Sequence, residues 1–240
     1  ITDHVRSLLT DAGTDLETVV RFVQGRVFPA HESTTLDVGP ALCHDAIARA
    51  AGRNVTASDV EERLAERGEI GAVAASYDLG GQRGLGAFAG GDDALTVAEV
   101  DADLRSLAAA EGAGSRDTKR DLLFGLCNRA TPEEARYLVR LVLGEMRIGV
   151  GGGTVRDAVA AAFDVPVASI ERALQVTNDY GLVATVARAD GERGLADLRL
   201  EVGRPVQAML AQAGTVTGAL AGWDAAAVEV KYDGARVQVH

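Results

Sequence analysis

Lysine and cysteine are both scarce in this chain of 240 residues. Arginine supplies 22 of the 24 basic side chains, and the two lysines are Lys119 and Lys231. Cys43 and Cys127 are far apart and each lies in an apolar helical pattern, which favours buried packing residues over a disulfide or a metal site. No apolar run approaches the length of a membrane span, and the opening residues are not a signal peptide. We therefore expect a cytoplasmic protein, and the opening Ile suggests that the sequence begins inside a longer chain.

Charge is distributed unevenly along the sequence. The formal net charge is −11, which as a bulk property argues against nucleic-acid binding. Residues 1–111 hold 9 basic and 19 acidic side chains, and residues 157–240 hold 7 and 11. Residues 112–156, here called the basic stretch, instead hold 8 basic and 5 acidic side chains. An acidic, lysine-poor surface is typical of proteins in concentrated salt, where the Debye length is about 3 Å near 1 M. A halophilic archaeal source is one hypothesis, and a GC-rich genome is the other.

Helical periodicity covers most of the chain before residue 190. Thr56, Thr96 and Thr131 each stand three residues before an acidic side chain, which predicts three capped helix starts. The helix that begins at Pro132 repeats apolar residues at core-facing spacing, and we expect it to end at Gly149.

Alternation of apolar and polar residues first occurs at 198–202 and predicts a strand. We place a domain boundary near 203–206, so that a helical domain of residues 1–204 precedes a second domain at 205–240. The Gly-rich residues 80–91 lack the Gly-Lys-Ser/Thr of a phosphate loop and are expected to form a flexible surface connection.

Residues 229–236 combine a lysine with acidic and basic neighbours in the order Glu-Val-Lys-Tyr-Asp-Gly-Ala-Arg. The Asp-Gly pair is a hairpin signal between two alternating segments, which places Glu229 and Lys231 on one face of a strand. A lysine amine is a poor nucleophile while protonated, so a catalytic site must desolvate it or surround it with positive charge. An ordinary hairpin with an exposed Glu–Lys pair fits the spacing equally well.

This run resembles the nucleotide-binding signature of ATP-dependent DNA ligases. The resemblance implies that Lys231 attacks the α-phosphate of ATP and carries AMP to the 5′-phosphate of a nick. It also implies that Glu229 recognises the adenine amino group and that Arg236 contacts the ribose side of the nucleotide. Mg²⁺ would neutralise phosphate charge as pyrophosphate departs. No metal ligand is expected within this segment.

A second resemblance lies in and beyond the basic stretch. Residues 112–119, 128–151 and 154–158 resemble the helical DNA-binding domain that precedes the catalytic core in archaeal and eukaryotic-type replicative ligases. A nick has no sequence to read, so such a domain binds the DNA backbone and recognises the shape of the duplex. Small residues admit phosphates to main-chain amides, and basic residues add charge. The expected DNA contacts are Gly112, Gly114, Ser115, Arg116, Lys119, Arg147 and Gly149.

Together the resemblances imply a mainly α DNA-binding domain followed by the first β-strands of an α+β nucleotidyltransferase domain, truncated before the later catalytic motifs. They imply a monomer that seals nicked duplex DNA in replication, repair and recombination. A sliding-clamp contact is a further expectation, and residues 22–32 could host it, although core packing explains them as well. Two alternatives stay open: another lysyl-nucleotidyltransferase, such as an RNA ligase or mRNA capping enzyme, and a DNA-binding or clamp module without catalysis.

Overall fold

Helices account for the regular structure of the computed structural model, which describes residues 1–80, 94–207, 213–223, 225–227, 230 and 234. Those residues contain no β-strand, so the described fold is mainly helical, as the sequence predicts. A short 3₁₀-helix at Gly13–Asp15 precedes the second α-helix. The α-helices, in chain order, are α1 Thr2–Asp11, α2 Leu16–Val23, α3 Pro40–Ala51, α4 Ala57–Arg67, α5 Ile70–Ala74, α6 Val97–Ala109, α7 Ser115–Arg129, α8 Pro132–Val142, α9 Gly152–Ala162, α10 Val167–Thr177, α11 Tyr180–Asp197 and α12 Val216–Ala221.

Threonine side chains fix the starts of α4, α6 and α8. Thr56, Thr96 and Thr131 each accept a hydrogen bond from the backbone N–H three residues further on. The acidic side chain at that third position accepts in return from the threonine N–H. The three predicted capped starts are therefore confirmed, and each such cap stabilises its helix by about 1 kcal/mol.

The end of α8 corrects a prediction. The helix stops at Val142, although the apolar repeat predicted that it would continue to Gly149. Gly144 has a left-handed φ of +68°, and the N–H groups of Gly144 and Glu145 bond back into the last turn of the helix. Met146 still packs against the interior. The repeat therefore indicated burial correctly, but the glycine ends the helix first.

The buried side chains form two clusters. The first core lies among α3 to α8, and its largest fully buried members are Ile47, Val60, Val73, Leu104, Leu107 and Leu126. The second core lies among α1, α2, α9, α10 and α11, and its largest fully buried members are Leu9, Leu16, Val20, Val155, Ile170 and Leu195. Each cluster is the contiguous apolar interior that lets its helices bury one face.

Both cysteines lie in the first core as free thiols. Burial raises the pKa of Cys43 and of Cys127 to about 12, so neither side chain is a thiolate at neutral pH. The prediction that both cysteines are packing residues is confirmed.

Helix α2 joins the two cores. Its Leu16 lies in the second core, whereas its Phe22 packs against the first. The buried Arg21 donates to the Asp179 carboxylate at 3.3 Å and also pairs with Glu17. Asp179 in turn caps α11, because its other carboxylate oxygen accepts from N–H groups in the first turn of that helix. A buried ion pair thus holds α2 against α11.

Residues 198–202 form no strand, which corrects the prediction made from their alternation. Leu200 is 63 % exposed and Val202 is fully exposed. A strand needs a neighbour for its backbone N–H and C=O groups, and none of the described residues supplies one here. The predicted strands of the second domain at 229–236, apart from Val230 and Gly234, lie outside the described residues, as does the Gly-rich connection beyond Gly80.

Glu69 fastens α5 to α8. Its carboxylate caps α5 by accepting from the N–H groups of Gly71 and Ala72. It also accepts from Arg140, at 2.9 Å from Nε and 2.8 Å from Nη2. Glycine is required at 71, because a Cβ there would lie 2.7 Å from the Arg136 carbonyl oxygen. The bonds from Arg140, together with those from the two backbone N–H groups, lower the pKa of Glu69 to about 2.

We expect Glu69→Ala to lower the free energy of unfolding by about 2 kcal/mol, because the Arg140 guanidinium loses its bidentate partner and α5 loses its cap. The pKa of Glu69 is lower in the folded chain than its ordinary value of 4.5. Its contribution is therefore complete above about pH 4.5 and is lost as the pH falls toward 2. Denaturant unfolding at pH 7 and at pH 3 should show the difference between wild type and variant shrinking at the lower pH.

Glu66→Ala is the matched control, because Glu66 is exposed near the end of α4. Its effect should be within about 0.5 kcal/mol at both pH values. A Glu69→Ala effect that is the same at pH 7 and pH 3 would contradict the role assigned to the carboxylate.

Candidate nucleic-acid interface

Helix α7 begins in a glycine turn without a side-chain cap. Gly112 and Gly114 have φ of +78° and +85°, a region that favours glycine. The turn is closed by a bond from the Ser115 N–H to the Gly112 carbonyl oxygen. Asp117 in the first turn is paired with Arg120 at 3.0 Å, which offsets its negative charge. Small residues thus leave the positive end of α7 open to an anion.

Arg116 stands at the surface beside this turn. Its side chain is 73 % exposed, and Nη2 lies 3.6 Å from the Asp45 carboxylate. An exposed pair at this distance contributes little to stability, so the guanidinium can exchange its partner for a phosphate at small cost.

Lys119 lies in the interior, which corrects its expected place at a phosphate-facing surface. The residue is 5 % exposed. Its Nζ donates to the carbonyl oxygens of Leu36 at 2.9 Å and Asp37 at 3.3 Å, and to the Asp37 carboxylate at 3.3 Å. The reason is packing, because α7 lies along α3 and the loop before α3 covers this face of α7. Asp37 has a left-handed φ of +48°, and the ammonium holds the chain in that turn.

The second expected contact lies between α8 and α9. Arg147 and Gly149 have left-handed φ values of +48° and +70°. Ile148 between them packs against the second core. The Arg147 side chain is 61 % exposed, with Nη2 2.9 Å from the Glu145 carboxylate. The turn is thus anchored by one apolar side chain and presents its arginine to solvent.

Helix α9 also begins on glycine without a side-chain cap. Gly151 is its N-cap residue, and Gly152 and Gly153 follow. A Cβ at Gly152 would lie 2.6 Å from the Tyr180 hydroxyl oxygen, so glycine is required for that hydroxyl to lie against the start of the helix. Sequence reasoning missed Tyr180, because nothing in spacing or composition connects it with residues so far upstream.

The remaining arginines of the basic stretch are more strongly engaged. Arg140 is held by Glu69, and Arg156 pairs with both Asp157 and Glu171. Arg116 and Arg147 are its most exposed ion-paired basic side chains among the described residues. The geometry therefore offers two glycine-led helix starts, each with an exposed guanidinium near it or in the turn just before it.

Glu229, Lys231 and Arg236 lie outside the described residues, so their roles stay predictions. The sliding-clamp contact also stays a prediction, and Phe22, Val27 and Phe28 of its candidate segment pack in or against the first core. Over the described ranges, no group of three or more His, Cys, Asp or Glu side chains could hold a metal ion. No helix in that part of the chain is long and apolar enough to cross a membrane.

A family model described as DNA ligase N terminus matches residues 1–160. The chain belongs to this DNA ligase N-terminal family. Helices α1 to α8 and both glycine-led helix starts lie within the matched region, and α9 ends at its edge.

Full-length relatives extend the similarity beyond residue 160. The DNA ligase of Haloarcula marismortui is 71 % identical over 243 residues, which cover 100 % of this chain and 44 % of that protein. The DNA ligase of Haloferax volcanii is 64 % identical, covering 97 % of the chain and 45 % of the relative. The DNA ligase of Archaeoglobus fulgidus is 43 % identical, covering 94 % and 40 %. The chain spans less than half the length of these relatives, and the similarity to the Haloarcula and Haloferax proteins supports the expected halophilic archaeal origin.

We expect Lys119→Met to lower the free energy of unfolding by about 1–3 kcal/mol, because two buried carbonyl oxygens lose their donor. It should leave the salt dependence of nicked-DNA binding unchanged, because the buried ammonium faces no phosphate. Arg116→Ala is the matched comparison, for which the opposite result is expected. It should change the free energy of unfolding little and should make the salt dependence of nicked-DNA binding shallower. Denaturant unfolding and duplex binding across a KCl series measure both. If Lys119→Met made the slope of log affinity against log salt shallower, Lys119 would have to be counted among the DNA contacts.

Proposed function

We propose that this chain comprises the DNA-binding domain and the start of the adenylation domain of an ATP-dependent DNA ligase. The first domain would cover residues 1–204 and the second would begin at 205 and continue past 240. The whole protein would seal nicks in duplex DNA during replication, repair and recombination, as a cytoplasmic monomer that uses ATP and Mg²⁺. Membership of the DNA ligase N-terminal family supports this proposal.

The observation that carries the proposal is the pair of glycine-led helix starts. The first N–H groups of α4, α6 and α8 are bonded to threonine caps, whereas α7 and α9, like α1, α2, α3 and α10, have no side-chain cap. What distinguishes α7 and α9 is that both begin on glycine within the basic stretch of an otherwise acidic chain. Backbone N–H groups at a helix start bind phosphate oxygens without reading bases, which is what a nick requires.

The proposed contacts are revised by the side-chain geometry. Gly112, Gly114 and Ser115 would admit one backbone phosphate to the start of α7, with Arg116 beside it. Arg147 and Gly149 would meet a second phosphate in the turn that leads into α9. Lys119 is removed from the set, because its ammonium is already bonded inside the fold.

The proposed catalytic residues are those of the C-terminal run. Lys231 would form a phosphoramidate with the α-phosphate of ATP, displacing pyrophosphate, and would then pass AMP to the 5′-phosphate of the nick. The 3′-hydroxyl would displace AMP and close the strand. Glu229 would accept a hydrogen bond from the adenine amino group, which favours adenine over guanine, and Arg236 would contact the ribose side of the nucleotide.

We expect the 240-residue chain to bind nicked duplex with an affinity that falls as KCl rises, because each phosphate contact releases a counterion. Arg147→Ala should make the slope of log affinity against log salt shallower by about one unit. Fluorescence anisotropy with a labelled nicked duplex measures the slope. Arg67→Ala, at the exposed end of α4, removes the same charge away from both helix starts and should leave the slope unchanged.

Lys231→Ala should bind the same duplex as wild type, since the proposal assigns DNA binding to residues before 205. Absence of binding at every salt concentration would defeat the assignment of α7 and α9 to DNA.

The catalytic half of the proposal is tested on a protein that extends this chain to the length of its relatives. Incubation with ATP and Mg²⁺ should add the mass of one AMP to a lysine. Lys231→Ala should abolish the adduct, and Lys231→Arg should abolish it as well, because a guanidinium keeps the charge but is never a free amine. An adduct that survives either change would exclude Lys231 as the nucleophile.

A further inference from the structure

The segment that comes after α11, residues 198–207, is attached to α10 at its beginning. Arg172 of α10 donates from Nη1 to the Leu195 carbonyl oxygen at 3.2 Å and from both Nη atoms to the Leu198 carbonyl oxygen at 3.3 Å. These carbonyl groups lie at the C-terminal end of α11, which a cation suits, and the Leu195 carbonyl oxygen also accepts from the Leu198 N–H. The guanidinium therefore ties the exit from α11 to the side of α10.

The same segment is attached to α10 again at its end. The Gln207 N–H donates to the Gln175 carbonyl oxygen at 3.0 Å. Because Gln175 is one turn beyond Arg172, the two attachments lie along one helix. Between them, Gly203 has φ of +88° and Arg204 bonds back to Glu201 through its N–H and, at 3.2 Å, through its guanidinium. The segment is thus a closed turn held at both ends.

The second attachment also places Gln207 beside the start of α9. Gln207 lines a cavity of about 340 Å³ together with Gly151, Gly152 and Tyr180. Gly151 and Gly152 form the glycine-led start of α9. Gln207 at the end of the segment therefore lies beside that helix start.

We propose that residues 198–207 form a strap along α10 that moves with the helical domain as one body. Pro205 and Val206 then belong mechanically to the helical domain, although the boundary expected from the sequence separates them from it. If the C-terminal part is the adenylation domain, which rests on the proposed function, the strap fixes its starting point next to the DNA-contacting end of α9.

A backbone substitution tests the far end of the strap. Gln207→Pro removes the N–H that bonds to Gln175, whereas Gln207→Ala removes the side chain and keeps the N–H. We expect amide hydrogen exchange at Arg204, whose N–H is bonded to the Glu201 carbonyl oxygen, to become about five-fold faster in Gln207→Pro, because the turn loses the stabilisation of one backbone hydrogen bond. Gln207→Ala should exchange as wild type does. Equal exchange in the two variants would overturn the proposal.

A side-chain substitution tests the near end. Arg172→Ala should speed exchange at Leu198 and Arg204, whose N–H groups are bonded to the Leu195 and Glu201 carbonyl oxygens. Arg188→Ala is the control, because it removes an equal charge from α11, where the guanidinium contacts the Gly13 carbonyl oxygen instead, and it should leave that exchange unchanged. Indistinguishable exchange in these two variants would also overturn the proposal, which stands only if both pairs differ. Neither comparison needs DNA, so failure of the chain to bind nicked duplex would refute the proposed function and leave this result unaffected.

Discussion

The buried ion pair between Arg21 and Asp179 is the constraint on which the arrangement of the rest depends. It joins α2, whose side chains enter both cores, to the first turn of α11. The helices approach so closely that a Cβ at Gly181 would lie 2.6 Å from Glu17 Cγ and 3.0 Å from the Glu17 carbonyl oxygen. Removing one partner of such a pair typically costs about 3–5 kcal/mol, because the other charge is left buried alone. Helix α7 belongs to the first core and α9 to the second, so this joint governs the separation of their N-terminal ends.

The charge of the chain has a bearing on how it would approach a polyanion. A net charge of −11 repels DNA at long range, and concentrated salt reduces the range of that repulsion to a few ångströms. The same screening weakens attraction by exposed arginines. Backbone N–H groups at a helix start act at hydrogen-bond distance, where mobile ions intervene least. The uncapped starts of α7 and α9 would therefore bind phosphate in concentrated salt better than a group of exposed cations would.

The sequence predicted well those features that depend on neighbours along the chain. The capping boxes at Thr56, Thr96 and Thr131 involve side chains three residues apart, and the burial of both cysteines was predicted correctly from local apolar patterns. Predictions from local patterns failed where contacts with a distant part of the chain determine whether a side chain is buried. The burial of Lys119 depends on a loop more than eighty residues upstream.

The candidate site was predicted only in outline, for the same reason. Gly112, Gly114 and Gly149 were proposed as contacts from the family resemblance, and each has the left-handed φ that glycine favours, whereas the glycine-led start of α9 at 151–153 was not predicted. The approach of Tyr180 to Gly152 arises from packing of α11 on the second core, and the strap along α10 replaced an expected strand because no partner strand is present among the described residues. A period of two residues indicates which side chains alternate, but pairing requires a second chain segment.

The interior position of Lys119 also simplifies the chemistry of the chain. The 240 residues contain two lysines, and three oxygen atoms surround the ammonium of Lys119, so the ε-amine of Lys119 is withheld from an electrophile in the folded chain. A group shown to be on a lysine of the folded 240-residue chain can then be assigned to position 231 by elimination.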